Sequence, residues 1–88
     1  YVFAHAGLRL GVPLDRQGEE DLLWMRHDPA ADRSNEGFTL VHGHSVVPQP
    51  LVLPGRIAVD TGCFATGVLT ALRLAEDEDL RFLSVRPG

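Results

Sequence analysis

His5 and His44 are the side chains best placed to do chemistry in this sequence. Each stands where an apolar run gives way to glycine: Tyr1-Val2-Phe3-Ala4-His5 before Ala6-Gly7, and Phe38-Thr39-Leu40-Val41-His42 before Gly43-His44. Short apolar, β-branched runs bounded by Gly and Pro read as buried strands. Gly43 is expected to turn the chain sharply and bring the backbone close to whatever His44 touches. A neutral imidazole on the rim of a rigid sheet can ligate Zn, Mn, Fe or Ni, or move a proton. Two imidazoles do not finish such a site. A catalytic zinc takes three protein ligands, and a two-metal centre adds bridging carboxylates.

The neighbouring candidates are more ambiguous. His42 lies inside the strand and is either an ordinary buried histidine, a further ligand, or a group that donates to a carboxylate behind the site. Arg26 follows the apolar stretch Leu22-Leu23-Trp24-Met25; it either pairs with Asp21 or Asp28 or grips two phosphate oxygens. Arg9 carries the same ambiguity. Asp60-Thr61-Gly62 after an apolar run has the look of an aspartic-protease motif, but only 26 residues follow it (88 − 62), too few for that fold. A turn closed by the Asp60 side chain is the simpler reading. Cys63 has no adjacent cation in sequence and is expected to be a small buried filler. Ser45 directly after His44 is not a catalytic partner if both lie in a strand, because neighbours there point to opposite faces.

These residues must be positioned by a small amount of chain. At 88 residues there is room for one domain with a limited core. Hydrophobic content of 44% with 23% charged is ordinary for a folded domain. A net charge of −4 gives no broad attraction to nucleic acid or to an anionic membrane, and no apolar run reaches the ~20 residues of a membrane span. No secretory leader is visible, and the lone Cys63 excludes an internal disulfide framework, which is consistent with a cytoplasmic setting. The chain starts inside a strand without methionine, so it reads as a fragment.

After the first strand, Leu8–Pro13 reads as loop, and Gly18–Arg26 as a helix with one buried face, acidic at its start and basic at its end. Residues 27–37 read as loop. Pro48, Pro50 and Pro54 are expected to hold Val46–Pro54 in an extended path outside any ladder. Arg56–Asp60 is a third strand. Val68–Leu74 alternates, with Val68, Thr70, Leu72 and Leu74 on one face; the acidic turn Glu76–Asp79 returns it to Leu80–Val85 as a hairpin. The expected class is α+β, mostly antiparallel sheet with one helix.

The order of segments adds a resemblance. Val2-Phe3-Ala4-His5-Ala6-Gly7-Leu8, Glu20-Asp21-Leu22-Leu23-Trp24-Met25-Arg26, Val41-His42-Gly43-His44-Ser45 and Ile57-Ala58-Val59-Asp60-Thr61-Gly62 resemble, in that order, the C-terminal half of a calcineurin-like metallophosphoesterase. The similarity is greatest to the bacterial branch of the serine/threonine phosphoprotein phosphatases, and it runs over nearly the whole chain. It implies that residues 1–88 are the C-terminal part of one four-layer α/β/β/α sandwich domain with a two-metal site at strand ends. By this resemblance His5 and His44 ligate one ion, Arg26 binds phosphate, and His42 and Asp60 support from behind. Two divalent ions are implied, Mn first, with Fe or Zn as substitutes. The general acid and the other ligands would lie upstream, so the isolated fragment is expected to be inactive. The implied reaction is attack of a metal-bridging hydroxide on phosphorus, with a phosphoprotein or phosphorylated small molecule as substrate and neither nucleic acid nor membrane as partner. A symmetrical dinucleoside tetraphosphate hydrolase is the enzymatic rival, and a non-catalytic β-rich protein-binding module is the rival of another class.

Overall fold

Four short segments, each beginning with a branched or long side chain and too short to bury a face alone, join into one ladder. In a computed structural model that describes residues 1–26, 33–76 and 79–87, β1 (Val2–Ala4), β2 (Leu40–His42), β3 (Leu51–Leu53) and β4 (Arg56–Ala58) form a four-stranded sheet in the order β1-β2-β4-β3. β1 and β4 both run parallel to β2, in a register that sets Ala4 opposite His42 and His42 opposite Ala58. β3 closes the edge antiparallel to β4. A separate antiparallel hairpin joins β5 (Leu69–Arg73) to β6 (Arg81–Val85). The helices are α1 (Glu19–Trp24) and the single turn α2 (Cys63–Thr66), with 3-10 turns at Leu14–Arg16 and Ser34–Glu36.

The chain is therefore a small α+β domain, but several expectations need correction. Strand pairing is mixed rather than mostly antiparallel: two of the three pairings in the four-stranded sheet are parallel, while its β3 edge and the separate hairpin are antiparallel. A strand buried on both faces shows an unbroken apolar run, and such a run carries no sign of its partner's direction. The proline-rich stretch is not outside the ladder: Leu51, Val52 and Leu53 pair with Ala58, Ile57 and Arg56. Pro50 and Pro54 only bracket this edge strand, where a missing donor costs no central hydrogen bond. There is a second short helix, and it carries Cys63, which is exposed rather than a buried filler.

The helix α1 is shorter than expected and buries none of its residues. Leu22 is half-buried and its carbonyl accepts the Ala6 N–H at 2.8 Å, which ties the helix to the end of β1. Arg9 crosses to the helix and grips Asp21 with two N–H donors, Nε to Oδ2 at 2.8 Å and Nη2 to Oδ1 at 2.7 Å. That side-chain hydrogen bonding holds the Asp21 carboxyl below the usual range. The expected loop at 27–37 and the acidic turn at 76–79 fall partly outside the described residues. The hairpin follows its alternation: Thr70 and Leu72 are half-covered, while Leu69, Ala71 and Arg73 are exposed. The Thr61 hydroxyl joins the hairpin to the sheet, donating to the Val68 carbonyl at 2.7 Å.

The core is thin. Its buried apolar side chains are Ala6, Leu8, Leu40, Val41, Ile57 and Ala58 among the described residues. The chain exposes 6111 Å², against about 5,100 Å² expected for a compact protein of this mass. The purified 88-residue polypeptide is accordingly expected to melt broadly, with a van't Hoff enthalpy well below the calorimetric one. A sharp two-state transition with equal enthalpies would show that this core suffices alone.

Candidate metal centre

Parallel strands in common register send their next residues out at the same edge. His5 follows β1, Gly43-His44 follow β2, and Val59-Asp60 follow β4, so one end of the sheet carries both histidines and the carboxylate. Ligands of open α/β sheets bind at this carboxyl end of parallel strands. Main-chain bonds lock the cluster. The Gly43 N–H donates to the His5 carbonyl at 2.7 Å, the Val59 N–H to the His42 carbonyl at 3.1 Å, and the Val47 N–H to the Asp60 carbonyl at 2.9 Å.

The imidazoles of His5 and His44 approach with ring centres 5.3 Å apart and planes inclined by 56°. Two imidazoles that share an ion through bonds of about 2.0–2.1 Å would keep their ring centres roughly 5 Å apart. The observed separation is of that size. Among the described residues no group of three or more His, Cys, Asp or Glu gathers to hold a metal, so this chain offers two imidazoles. The remaining ligands would come from water, substrate or another segment.

His44 itself makes the turn. Its φ is 64°, the left-handed region that a non-glycine residue rarely enters. The sequence pointed to Gly43 instead, yet a Cβ there would meet only ordinary contacts, 3.4 Å from Asp60 Oδ2 and 3.5 Å from the His5 carbonyl. A left-handed histidine costs on the order of 1 kcal/mol or more and persists only where its surroundings hold it. Asp60 does the holding. Its Oδ2 accepts the His44 N–H at 2.9 Å, and its Oδ1 accepts the Gly62 N–H at 2.9 Å. The second bond is the side-chain-closed turn expected of Asp60-Thr61-Gly62.

Asp60→Asn leaves one oxygen to serve two donors and turns an NH2 toward the other. About 1.5–3 kcal/mol of stability should be lost, since bonds to a charged acceptor are worth that much. Metal affinity should fall about 10–100-fold, as when a group supporting a ligand is removed. Calorimetric titration with manganese together with a urea melt checks both; unchanged metal affinity would mean that Asp60 supports the fold alone.

His42 faces elsewhere. The ring is 2% exposed, with Nδ1 3.1 Å from the Gly43 carbonyl and Nε2 3.2 Å from Arg56 Nη1. These partners suit a neutral ring that donates from Nδ1 and accepts at Nε2. Burial pushes its pKa below the usual value, with nearby Arg56 and Arg33 adding to the effect against the Gly43 carbonyl. The ring thus has an arginine and a backbone carbonyl among its neighbours. Arg26 lies just beyond α1, exposed, on a cleft it shares with Ser45, His42 and Arg56. Arg9, not Arg26, takes Asp21, and Asp28 lies outside the described residues. Ser45 follows the left-handed residue outside any strand, so strand alternation does not govern it.

Two contributors were not legible as such. Trp24, taken for part of a buried helix face, is 68% exposed and meets the His44 ring edge-on, centres 5.8 Å apart at 87°. Arg56 is 3% exposed beside His42. A charged residue heading an otherwise apolar strand was the available signal, because arginine is buried only where it finds partners.

No family model matches the chain, and no solved structure matches it. Curated relatives do. The chain is 36% identical over 63 residues to the asymmetrical bis(5'-nucleosyl)-tetraphosphatase PrpE of Halalkalibacterium halodurans, covering 72% of this chain and 25% of that protein. It is 42% identical over 57 residues to the protein of that name from Geobacillus sp. strain WCH70, covering 65% and 23%. It is also 42% identical over 48 residues to that of Anoxybacillus flavithermus, covering 54% and 20%. The matched stretch spans a quarter or less of each relative, and the chain is similar to that part of an asymmetrical bis(5'-nucleosyl)-tetraphosphatase.

Proposed function

We propose that this chain is part of a metal-dependent phosphohydrolase of the calcineurin-like kind, acting on a dinucleoside tetraphosphate by asymmetrical cleavage. The observation that carries the reading is the meeting of His5 and His44 at one end of a parallel ladder, with His44 held in a left-handed turn. Costly backbone geometry kept beside a second imidazole fits a ligand seat better than a structural turn. The relatives' names supply the substrate class, and they favour it over the phosphoserine and phosphothreonine reading that the motifs alone suggested. They also name the asymmetrical rather than the symmetrical cut.

On this reading His5 and His44 each give a neutral nitrogen to one divalent ion of a pair, and the four-layer sandwich is completed by further chain. When bound, such ions polarise phosphoryl oxygens and lower the pKa of water. Asp60 fixes the His44 backbone, and Trp24 limits the swing of its ring. Arg26 supplies a planar pair of donors to a phosphate.

Turnover of the natural protein that carries this chain tests the proposal. With manganese, diadenosine tetraphosphate should be cut to ATP and AMP, with a phosphoserine peptide cleaved far more slowly. Two ADP as product would restore the symmetrical reading, and preference for the peptide would restore the protein phosphatase. No metal-dependent hydrolysis of either substrate, nor of p-nitrophenyl phosphate, would leave a binding module.

A further inference from the structure

The helix α1 buries none of its residues, so core packing does not decide where it lies. Hydrogen bonds from the segment after β1 do. The Ala6 N–H donates to the Leu22 carbonyl, and the Arg9 guanidinium grips Asp21 through Nε and Nη2. Ala6 directly follows His5, and Trp24 stands two residues after Leu22, so these bonds set the indole relative to the histidine pair. Its ring meets that of His44 with centres 5.8 Å apart and planes at 87°. Among the described residues His44 is the one ring it meets, and Trp24 remains 68% exposed. Tryptophan is ordinarily well covered, because its apolar area is large. In a chain with so thin a core, an indole clamped at the surface is a ring presented to something outside.

The contact with His44 and its position say what that is. In a perpendicular pair the imidazole uses at most one broad face of the indole, which leaves the other for a flat partner. Resting on the function proposed above, we propose that Trp24 is a stacking platform for a nucleobase, that of the nucleotide whose own phosphorus is attacked. Every base has a π-face, so such a platform recognises a nucleotide without depending on base-edge hydrogen bonds. Trp24 touches His44, so a phosphorus beside the histidine pair and a base on the indole are about one side chain apart. A ribose spans that gap; a ribose and a further phosphate, the distance from a base to the middle of the polyphosphate, would overshoot it. The seated base therefore brings the first phosphorus to the histidine pair. Water oxygen bonds to that phosphorus, the bond to the bridging oxygen breaks, and AMP and ATP part as the water's protons pass to solvent.

Trp24→Leu and Trp24→Phe test this in the natural protein that carries the chain. Equilibrium dialysis with manganese compares AMP with ribose 5-phosphate, which has the same phosphate and sugar but no base. The native protein should hold AMP the more tightly. In Trp24→Leu the ratio of the two affinities should fall about tenfold, as expected for one lost base stack. Trp24→Phe keeps a flat ring and should retain most of the ratio. An effect exerted only through His44, or through a local folding fault, would weaken both ligands alike and leave the ratio where it was.

Equal affinity of the native protein for AMP and ribose 5-phosphate would overturn the platform. So would a ratio that Trp24→Leu leaves unchanged, or one that Trp24→Phe lowers as far as Trp24→Leu does. A ratio that falls as expected in a protein that cuts no dinucleoside tetraphosphate sustains the platform while the proposed function falls. Cleavage to AMP and ATP with an unmoved ratio does the reverse.

Discussion

On the proposed function, replacing His44 by asparagine is expected to cost about a thousandfold or more in phosphoester hydrolysis, because an ion held by the histidine pair would supply both the activated water and the charge on phosphorus. Asparagine tolerates the left-handed region, so the turn and its bond to Asp60 should survive and the melting temperature should change little. Metal content per chain should drop, which separates loss of a ligand from loss of fold. His44→Gly sharpens the test. Glycine adopts φ near 64° freely, so this variant should be as stable as the native protein or more stable, by about 1 kcal/mol, while equally inactive. A protein that gains stability and loses activity at one position has kept a strained residue for its chemistry. Should His44→Asn retain full metal content and turnover, the histidine pair would be only a structural contact.

The largest loss of stability is expected from Gly55→Ala. Gly55 has φ +73°, and a Cβ there would fall 2.3 Å from the Arg33 carbonyl oxygen and 2.4 Å from its carbonyl carbon. These are backbone atoms that cannot swing aside. The Arg33 N–H donates to the Pro54 carbonyl at 3.0 Å, and the buried guanidinium donates to the Leu8 carbonyl at 2.6 Å and pairs with Glu36. The Gly55 carbonyl also accepts the Leu40 N–H at 2.9 Å, at the start of β2. Conformational cost and collision together should remove about 4 kcal/mol or more, most of the stability of a small domain. Gly11 is the control: its φ is +78°, but a Cβ there would meet nothing within 4 Å. Gly11→Ala should therefore cost only about 1–2 kcal/mol. Equal urea midpoints for the two variants would show that the collision is relieved.

Comparing residues shows what the sequence can reveal. The alternation at Thr70 and Leu72 exposed the hairpin because one face is covered and the other wet, and that asymmetry is written in side-chain type. The runs at β2 and β4 are buried at every position, so they show where a strand lies but not which way its neighbour runs. The histidines stood out by their place at strand ends, and the roles expected of them came from the order of motifs. The left-handed turn was placed one residue early, because glycine is the usual bearer of that conformation. Trp24 and Arg56 were missed for a different reason. Both act through contacts across the chain, and neither spacing nor composition encodes such contacts.

The parallel ladder also separates two kinds of variation. Its rungs set the distance between the histidine pair, and the polypeptide that travels from the first strand to the second does not. That excursion can change in length at small entropic cost without moving the two imidazoles, provided Trp24 still leans on His44 and Arg33 keeps its bonds to Leu8 and Pro54. Variation there would leave the spacing of the two imidazoles unchanged, because that spacing is set by hydrogen bonds between strands and not by the length of chain that joins them.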